Sequence, residues 1–180
     1  NQRLTNRFSM YRNRNHINDN YNHARSGGIT NIRMKTIGMS DQLVYRLDKQ
    51  TITGGVDWYQ DEVPSYINML YDANYWGHSS MEGHSVTNTG YYVQDKWDIN
   101  DRWNVTPGIR FDHNSQYGNH TSPSLTVGYK AGEATNYYIS YKKFFRAPSL
   151  MQLYYPFGGN PNLDPEIGYT VEAGAAHRFN

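Results

Sequence analysis

Residues 91–112 read YYVQDKWDINDRWNVTPGIRFD, and apolar and polar side chains alternate along most of this stretch. From 103 to 112 every odd position is apolar, and every even position is polar, charged or Gly. A period of two is typical of a β-strand whose two faces meet different surroundings. Only Asn100, Asp101 and Arg102 separate the two alternating halves, which predicts a tight turn. The stretch therefore indicates a β-hairpin with one mainly apolar face.

The same alternation recurs along the chain and predicts about eight strands. They lie near 2–14, 31–47, 51–62, 87–99, 103–114, 123–130, 136–145 and 167–179. Short and long connections alternate strictly. The short ones are 48–50, 100–102 and 131–135, the long ones are 15–30, 63–86 and 146–166, and 115–122 is intermediate. An up-and-down membrane barrel has this asymmetry, because its periplasmic turns are short and its extracellular loops are long. We therefore predict an all-β fold, a segment of an antiparallel transmembrane β-barrel.

The composition fits a chain at the boundary between hydrocarbon and water. Its aromatic residues are mostly amphipathic, with 17 Tyr and 4 Trp against 6 Phe. The mean hydropathy is −0.84, and no apolar run reaches the roughly 18 to 20 residues of a membrane helix. Strands that alternate would give such a hydrophilic average even when one face meets lipid.

Charge and cysteine content exclude several function classes. The formal net charge is +1, with 17 basic and 16 acidic residues interspersed, so we expect no nucleic-acid partner. Cysteine is absent, which removes disulfides, thiolate metal sites and cysteine nucleophiles. No nucleophile with a base partner, phosphate-binding Gly motif or carboxylate pair stands out, so we predict that the protein is not an enzyme. We also predict no resident cofactor and no metal site.

Two other interpretations share the period-two pattern. A soluble, secreted β protein that binds glycans through Tyr and Trp would alternate in the same way, with a core on one face and water on the other. A passive, porin-like barrel would share the strands and the loop asymmetry. Charges on the second face, such as Arg110 and Asp112, favour a barrel, because a wet lumen accepts charges that a dry core excludes.

The longest unusual segment, residues 144–166, reads FFRAPSLMQLYYPFGGNPNLDPE. It is rich in aromatic residues and Leu, yet four prolines and a Gly-Gly pair interrupt it. Because Pro removes a backbone donor and fixes φ, the segment is predicted to form neither a helix nor a strand. We expect its bulky residues, among them Leu150 and Leu153, to fold over the barrel mouth as an ordered loop.

This segment resembles the TonB-dependent outer-membrane receptors. The resemblance rests on an aromatic-Arg-Ala-Pro box at 145–148, on Leu150 and Leu153, and on Gly-Asn-Pro-Asn-Leu at 159–163 followed by Pro165-Glu166. A second match is the pair 91–95 and 107–112, which is similar to paired strands earlier in these barrels, and a third, weaker match is Thr-Ile-Thr-Gly-Gly-Val-Asp at 51–57. Together the matches span about two thirds of the chain, from near Leu47 to Phe179.

The resemblance implies a 22-stranded barrel in the bacterial outer membrane, with an N-terminal plug inside it. Such receptors import a scarce nutrient with energy that TonB delivers. Residues 1–180 would then be part of the barrel, with the plug domain and the remaining strands absent. Expected partners are outer-membrane lipid, TonB through the plug, and a metal chelate as cargo. A ferric siderophore is the default cargo because it is the commonest in the family, and cobalamin or haem are the alternatives.

Aromatic and His side chains on the long connections are candidate cargo ligands, since they can stack on a flat chelate or reach a metal. The alternative is that they form the interfacial girdle or hold their own loops together. The predicted ligand-binding set is Tyr66, Tyr71, Tyr75, Trp76, His78, His84, Tyr154, Tyr155 and Phe157. The motif residues predicted to be structural are Phe145, Arg146, Ala147, Pro148, Asn160, Pro161, Asn162, Leu163, Pro165 and Glu166. Among these, Arg146 and Glu166 are predicted to anchor the loop.

Overall fold

The computed structural model describes residues 3–21, 28–70, 76–77, 81–155 and 158–179. These residues form one antiparallel sheet and one short helix. The elements in chain order are β1 Leu4–Tyr21, β2 Gly28–Arg46, β3 Gln50–Leu70, β4 Trp76–Gly77, β5 Ser85–Asp98, β6 Trp103–Asn114, β7 Gly118–Lys130, β8 Thr135–Arg146, α1 Leu150–Tyr154 and β9 Glu166–His177. The strand order in the sheet follows the chain, and the two-residue β4 pairs with β3 beside β5. The predicted all-β antiparallel fold is confirmed.

Three short turns form one rim of the sheet. In the β5–β6 turn, the Asn100 side-chain oxygen accepts hydrogen bonds from the backbone N–H groups of Arg102 and Trp103, each at 2.9 Å. In the β7–β8 turn, Gly132 has φ of 84°, a conformation that Gly adopts without steric cost. The β2–β3 turn closes with the Leu47 N–H donating to the Gln50 carbonyl at 2.8 Å. The remaining connections therefore lie at the opposite rim. The β6–β7 connection there is only residues 115–117, so the predicted loop 115–122 is wrong in length, because the β6–β7 pairing continues to Asn114 and Gly118.

Strand lengths differ from the sequence prediction. β1, β2 and β3 contain 18, 19 and 21 residues, so strand covers much of the predicted loops 15–30 and 63–86. The β1–β2 ladder continues to the pair Tyr21 and Gly28. The physical reason is that apolar and polar residues need to alternate only where one face of a strand contacts hydrocarbon. In a membrane barrel, a strand that extends above the bilayer meets polar surroundings on both faces, so the alternation fades while the backbone pairing continues.

The outward face carries the apolar residues of the alternation. The register places Tyr91 beside Phe111 and Val93 beside Ile109, and all four side chains are exposed. Near the short-turn rim, Trp103 packs on Tyr129 of the next strand at 4.6 Å between ring centroids, where an aromatic girdle is expected. No helix among the described residues is long and apolar enough to cross a membrane.

The inner face carries a polar network that joins three strands. Arg110 Nη1 on β6 donates to Asp57 Oδ2 on β3 at 2.6 Å, and Arg110 Nε donates to Asp112 Oδ2 at 2.9 Å. The buried Asp112 also accepts from the Asn88 amide on β5 at 3.0 Å. Arg110 crosses over Gly90, where any Cβ would collide with its guanidinium group. Arg110 and Asp112 thus both lie on the inner face, the face on which the sequence predicts charged side chains.

Candidate functional site

The cap, defined as residues 147–165 between β8 and β9, begins with a helical turn. Ser149 is the N-cap of α1: its Oγ accepts from the Gln152 N–H at 3.2 Å, and Gln152 Oε1 accepts from the Ser149 N–H at 2.9 Å. This reciprocal capping box stabilises a helix start. The prediction that the segment forms no helix is therefore wrong for Leu150–Tyr154. The reason is that Pro148 and Pro156 bracket these residues, and none of the five is Pro.

The Gly-Asn-Pro-Asn box terminates this turn and shapes the return. The Tyr155 carbonyl accepts from the Gly159 N–H at 2.7 Å, and the Gln152 carbonyl accepts from the Asn160 N–H at 2.9 Å. A Cβ at Gly159 would collide with the backbone of Tyr155. Asn160 Oδ1 then accepts from the Asn162 N–H at 3.0 Å, which is an Asx turn. These contacts account for a structural role of Gly159 and Asn160 within the cap.

The cap packs inward through its leucines. Leu153 is 1% exposed, and Leu150 belongs to a buried cluster at the long-loop end of the inner face. The other members of this cluster are Ile32, Val63, Tyr66, Met81 and Val86. They come from β2, β3, β5 and the connection before β5, so the cap extends from β8 to the far side of the sheet. The predicted inward folding of the leucines is confirmed.

Rings from three connections meet beside this cluster. His84, before β5, stacks on Tyr154 of α1 with centroids 3.7 Å apart and planes inclined by 11°. The Tyr154 hydroxyl donates to Gln116 Oε1 in the β6–β7 turn at 3.4 Å. The neighbouring Tyr117 hydroxyl is buried and has no hydrogen-bond partner among the described residues. Burial, and to a lesser degree the Tyr154 phenol, raises the pKa of Tyr117 above its usual value.

The base of the cap is held more by backbone pairing than by charge. Arg146 and Glu166 are the last cross-strand pair of β8 and β9. Their ion pair is long, at 3.8 Å, and both side chains are about two-thirds exposed (70% and 68%), so it contributes little. Phe145 stacks on His120 of β7 with ring centroids 4.3 Å apart. The anchoring predicted for Arg146 and Glu166 stays a prediction for their side chains.

A groove of about 570 Å³ opens on the inner face beside the base of the cap. Its lining includes Tyr59, Arg110, Asp112, Lys142, Lys143 and Arg146. Arg110 is neutralised by Asp57 and Asp112, whereas neither Lys142 nor Lys143 forms an ion pair with a described residue. The group of Arg110, Asp57 and Asp112 has a formal charge of −1, so the groove presents charges of both signs, and Lys142 is its nearby cation on the inner face.

The structure brings only part of the predicted ligand set together. His84 and Tyr154 are in direct contact, and Tyr155 packs against the same buried cluster. Tyr66 is 3% exposed and lies on β3, so its prediction as a loop residue is wrong. The β-ladder continues past residue 63, which turns Tyr66 inward. The predictions for Tyr71, Tyr75, His78, Phe157 and the Trp76 side chain lie outside the described residues.

Several residues of this region had no signal in the sequence. Gln116 and Tyr117 occupy a tight turn, and nothing in their spacing indicates contact with a segment that follows more than 30 residues later. Lys142 and Lys143 are adjacent residues within a predicted strand, and nothing in the sequence indicates that the folded chain forms a groove beside them. Within the described ranges, no group of three or more His, Asp or Glu side chains could hold a metal ion.

Comparison with known proteins assigns the family. The model of the family described as TonB dependent receptor-like, beta-barrel matches residues 1–180. The vitamin B12 transporter BtuB of Vibrio cholerae is 35% identical over 125 residues, which cover 69% of this chain and 18% of that protein. BtuB of Photobacterium profundum is 28% identical over 182 residues, covering 99% of this chain and 28% of the relative. The chain thus spans less than a third of the length of these relatives.

The fold comparison agrees. The crystal structure of the siderophore receptor PirA from Pseudomonas aeruginosa superposes with a TM-score of 0.71 at 23% sequence identity, covering 96% of this chain and 36% of PirA. This similarity concerns the fold. The family match over the whole chain supports the receptor interpretation over the porin-like and soluble alternatives. The chain belongs to the TonB-dependent receptor family as part of its β-barrel, and the protein is located in the bacterial outer membrane.

Proposed function

We propose that the full-length protein actively imports a scarce metal chelate across the outer membrane, with energy from TonB delivered through a plug domain. The observation that carries this proposal is the cap. Its Leu150 packs into the buried cluster of the inner face, and the cap stands beside a groove large enough for part of a bulky ligand. An ordered cap beside a ligand-sized groove suits a receptor that holds its cargo before moving it, whereas a water-filled channel conducts without a dedicated binding site of this size.

Two cargo classes have specific support. The curated relatives are named as vitamin B12 transporters, and this supports a corrinoid more strongly than the sequence alone did. Lys142 lines the groove and forms no ion pair with a described residue, so it instead offers a contact for an anionic ferric siderophore, the cargo expected from the sequence. We propose the corrinoid as the first candidate, because the relatives at 28–35% identity outweigh a surface charge that plug residues could modify.

Cargo contact is proposed at the ring cluster of His84 and Tyr154. The two rings already lie parallel, and Tyr155 lies beside them at the end of α1. A stacked pair of this kind offers an aromatic platform for a flat chelate. Tyr71, Tyr75, Trp76, His78 and Phe157 stay in the proposed ligand set as neighbours in sequence of these residues. Tyr66 is proposed as support for the platform, since it is buried beneath the cap.

The transport test uses the full-length gene in its own bacterium. Deleting the gene is expected to abolish uptake of radiolabelled cyanocobalamin at nanomolar supply, and deleting TonB is expected to do the same. Uptake of a labelled ferric siderophore is measured in parallel. Loss of siderophore uptake alone would replace the corrinoid by the siderophore. Uptake of both that continues without TonB would refute active import.

The site test compares substitutions in the complemented strain. His84→Ala with Tyr154→Ala is expected to reduce uptake, and so is the replacement of Trp76, His78 and His84 together. The controls are Lys96→Ala and Lys130→Ala, which lie on strands away from the cap. Equal uptake in all variants, at equal amounts of receptor in the membrane, would refute the assignment of these loop residues while leaving the transport proposal intact.

A further inference from the structure

The sheet is much taller at one side than at the other. β1, β2 and β3 contain 18, 19 and 21 residues, whereas β6, β8 and β9 contain 12 each. A tilted strand crosses the hydrocarbon with about 9 to 11 residues. Since the short turns define the periplasmic rim, the upper halves of β1–β3 must project beyond the outer surface of the bilayer.

The outward face of these tall strands changes character along its length. On the lower halves it presents exposed apolar side chains, with Phe8 and Met10 on β1 and Met39 and Leu43 on β2. Directly above them the same face presents four cations. Arg14 pairs across the strands with Lys35 and His16 pairs with Arg33, while Arg12 lies two positions from Arg14. Cross-strand partners share a face, and so do residues two apart.

The opposite parity confirms this orientation. Ile32 and Met34, which alternate with Arg33 and Lys35, pack into the buried cluster of the inner face. The four cations, Arg12, Arg14, Arg33 and Lys35, are defined here as the basic belt. This belt borders the surface that meets hydrocarbon, so its side chains reach the depth of the lipid headgroups.

The described residues neutralise little of the belt's charge. Glu62 is the one acidic residue on this outward face among the described residues of β1–β3 above the apolar band, and it pairs with Lys35 at 3.1 Å. No ion pair or side-chain hydrogen bond joins Arg12, Arg14 or Arg33 to another described residue, and all three are exposed. Three unpaired guanidinium groups on adjacent strands form a concentrated positive patch.

We propose that the basic belt binds the phosphate groups of the glycolipid in the outer leaflet of the outer membrane. Guanidinium groups form bidentate, charge-assisted hydrogen bonds with phosphate, and their aliphatic stems can lie along the apolar surface below. Juxtamembrane cations attract anionic lipid in this way, at about 1 kcal/mol for each side chain. The belt faces away from the lumen, so this inference is independent of the cargo. It rests only on the fold and on the outer-membrane location.

The test measures lipid binding by the full-length receptor purified in a neutral detergent. Native mass spectrometry is used to titrate it with short-chain lipopolysaccharide and with the same lipid after chemical removal of its phosphates. Arg12→Gln, Arg14→Gln and Arg33→Gln together are expected to weaken binding of the phosphorylated lipid about tenfold or more. The parent and the variant should bind the dephosphorylated lipid equally.

The matched control removes the same charge at the periplasmic rim, through Arg3→Gln, Arg102→Gln and Arg178→Gln. It should bind like the parent. Arg12→Lys, Arg14→Lys and Arg33→Lys together retain the charge and should retain most of the binding, which separates a lost contact from a misfolded barrel. Equal losses in the control and the belt variant, or a parent that binds both lipids alike, would overturn the inference.

Discussion

The two faces of the sheet obey the same alternation but are held by different physics. The outward face depends on many apolar side chains that all contact hydrocarbon, so each position within the bilayer requires only that its side chain be hydrophobic. The inner face depends on individual partners, such as Arg110 with Asp57 and Asp112. The outward face should therefore tolerate apolar exchange and reject charge, and the inner face should tolerate charge and reject changes of shape.

Glycine shows the second rule most directly. On the inner face, rings lie flat over glycines of the neighbouring strand, where any Cβ would collide with them. The pairs are Tyr11 over Gly38, Tyr92 over Gly55, Tyr138 over Gly174 and Phe144 over Gly168. These rings cover the strand backbone and keep the wall thin. The inner face of the barrel wall therefore depends on specific shape complementarity between rings and glycines, whereas the outer face needs only apolar side chains.

The largest expected effect comes from placing a charge on the wrong face. Val93 faces outward near the middle of the apolar band and is 47% exposed, while its neighbour Gln94 faces inward. Val93→Arg should destabilise the folded barrel by about 2–4 kcal/mol, because the cation must enter hydrocarbon. Gln94→Arg, the matched control, should change stability little. Urea unfolding in lipid vesicles measures both, and equal effects would show that the faces are not distinct.

Removing the central cation of the inner face should have the next largest effect. Arg110→Ala leaves Asp112, whose side chain is only 4% exposed, without its main ionic partner. We expect a loss of about 2 kcal/mol in the free energy of unfolding. Lys96→Ala is the control, since Lys96 is exposed on the same face and has no ion pair among the described residues. Adding Asp112→Asn to Arg110→Ala should recover part of the loss; no recovery would mean that the charge is not the cause.

Two adjacent glycines then test shape. Gly55 lies beneath Tyr92 and against the Asp41 carbonyl, so Gly55→Ala should cost about 1 kcal/mol through overpacking. Gly54 faces outward, and the nearest atom to an added Cβ is 3.4 Å away, which is an ordinary contact. Gly54→Ala should therefore be neutral or slightly stabilising. The two unfolding midpoints, measured side by side, should differ in this direction, and the opposite order would contradict the shape complementarity inferred for the inner face.

The sequence predicts the features that repeat along the strands, but it does not predict those that depend on one contact between distant residues. The parity of Trp103, Ile109 and Phe111 predicts the outward face, because every turn of the pleat repeats the same signal. The strand ends were missed, since pairing continues where hydrocarbon no longer imposes a pattern. The contact between His84 and Tyr154 could not be predicted, because it depends on the lengths of separate strands and on the path of the two connections that carry these residues.

The cap itself was half predictable. Its prolines correctly excluded a long helix, but the single turn that fits between them needs the Ser149 and Gln152 capping pair, which is a local signal that the density of prolines obscures. Motif resemblance identified the segment and its family, whereas the partners beneath Leu150 lie more than 60 residues earlier in the chain. Which residues become partners of Leu150 depends on the pairing register of the strands and on how far they extend beyond the bilayer.

The smallest effect concerns Tyr117, where the inner face meets the cap. Its hydroxyl is buried without a partner among the described residues, so Tyr117→Phe should be neutral or slightly stabilising at pH 7. Burial raises the pKa of this phenol in the folded state. Below about pH 10 both states hold the proton, and the difference contributes nothing to the pH dependence.

Above about pH 10 the unfolded chain ionises first, so the parent should lose stability until the folded phenol also ionises. Tyr117→Phe removes this loss, and its advantage over the parent should therefore grow between about pH 8 and pH 10.5. Unfolding midpoints at the two pH values measure the difference, and Tyr91→Phe on the exposed outward face is the control. An advantage that stays constant with pH would mean that water reaches the hydroxyl, and that the cap does not seal this edge of the inner face.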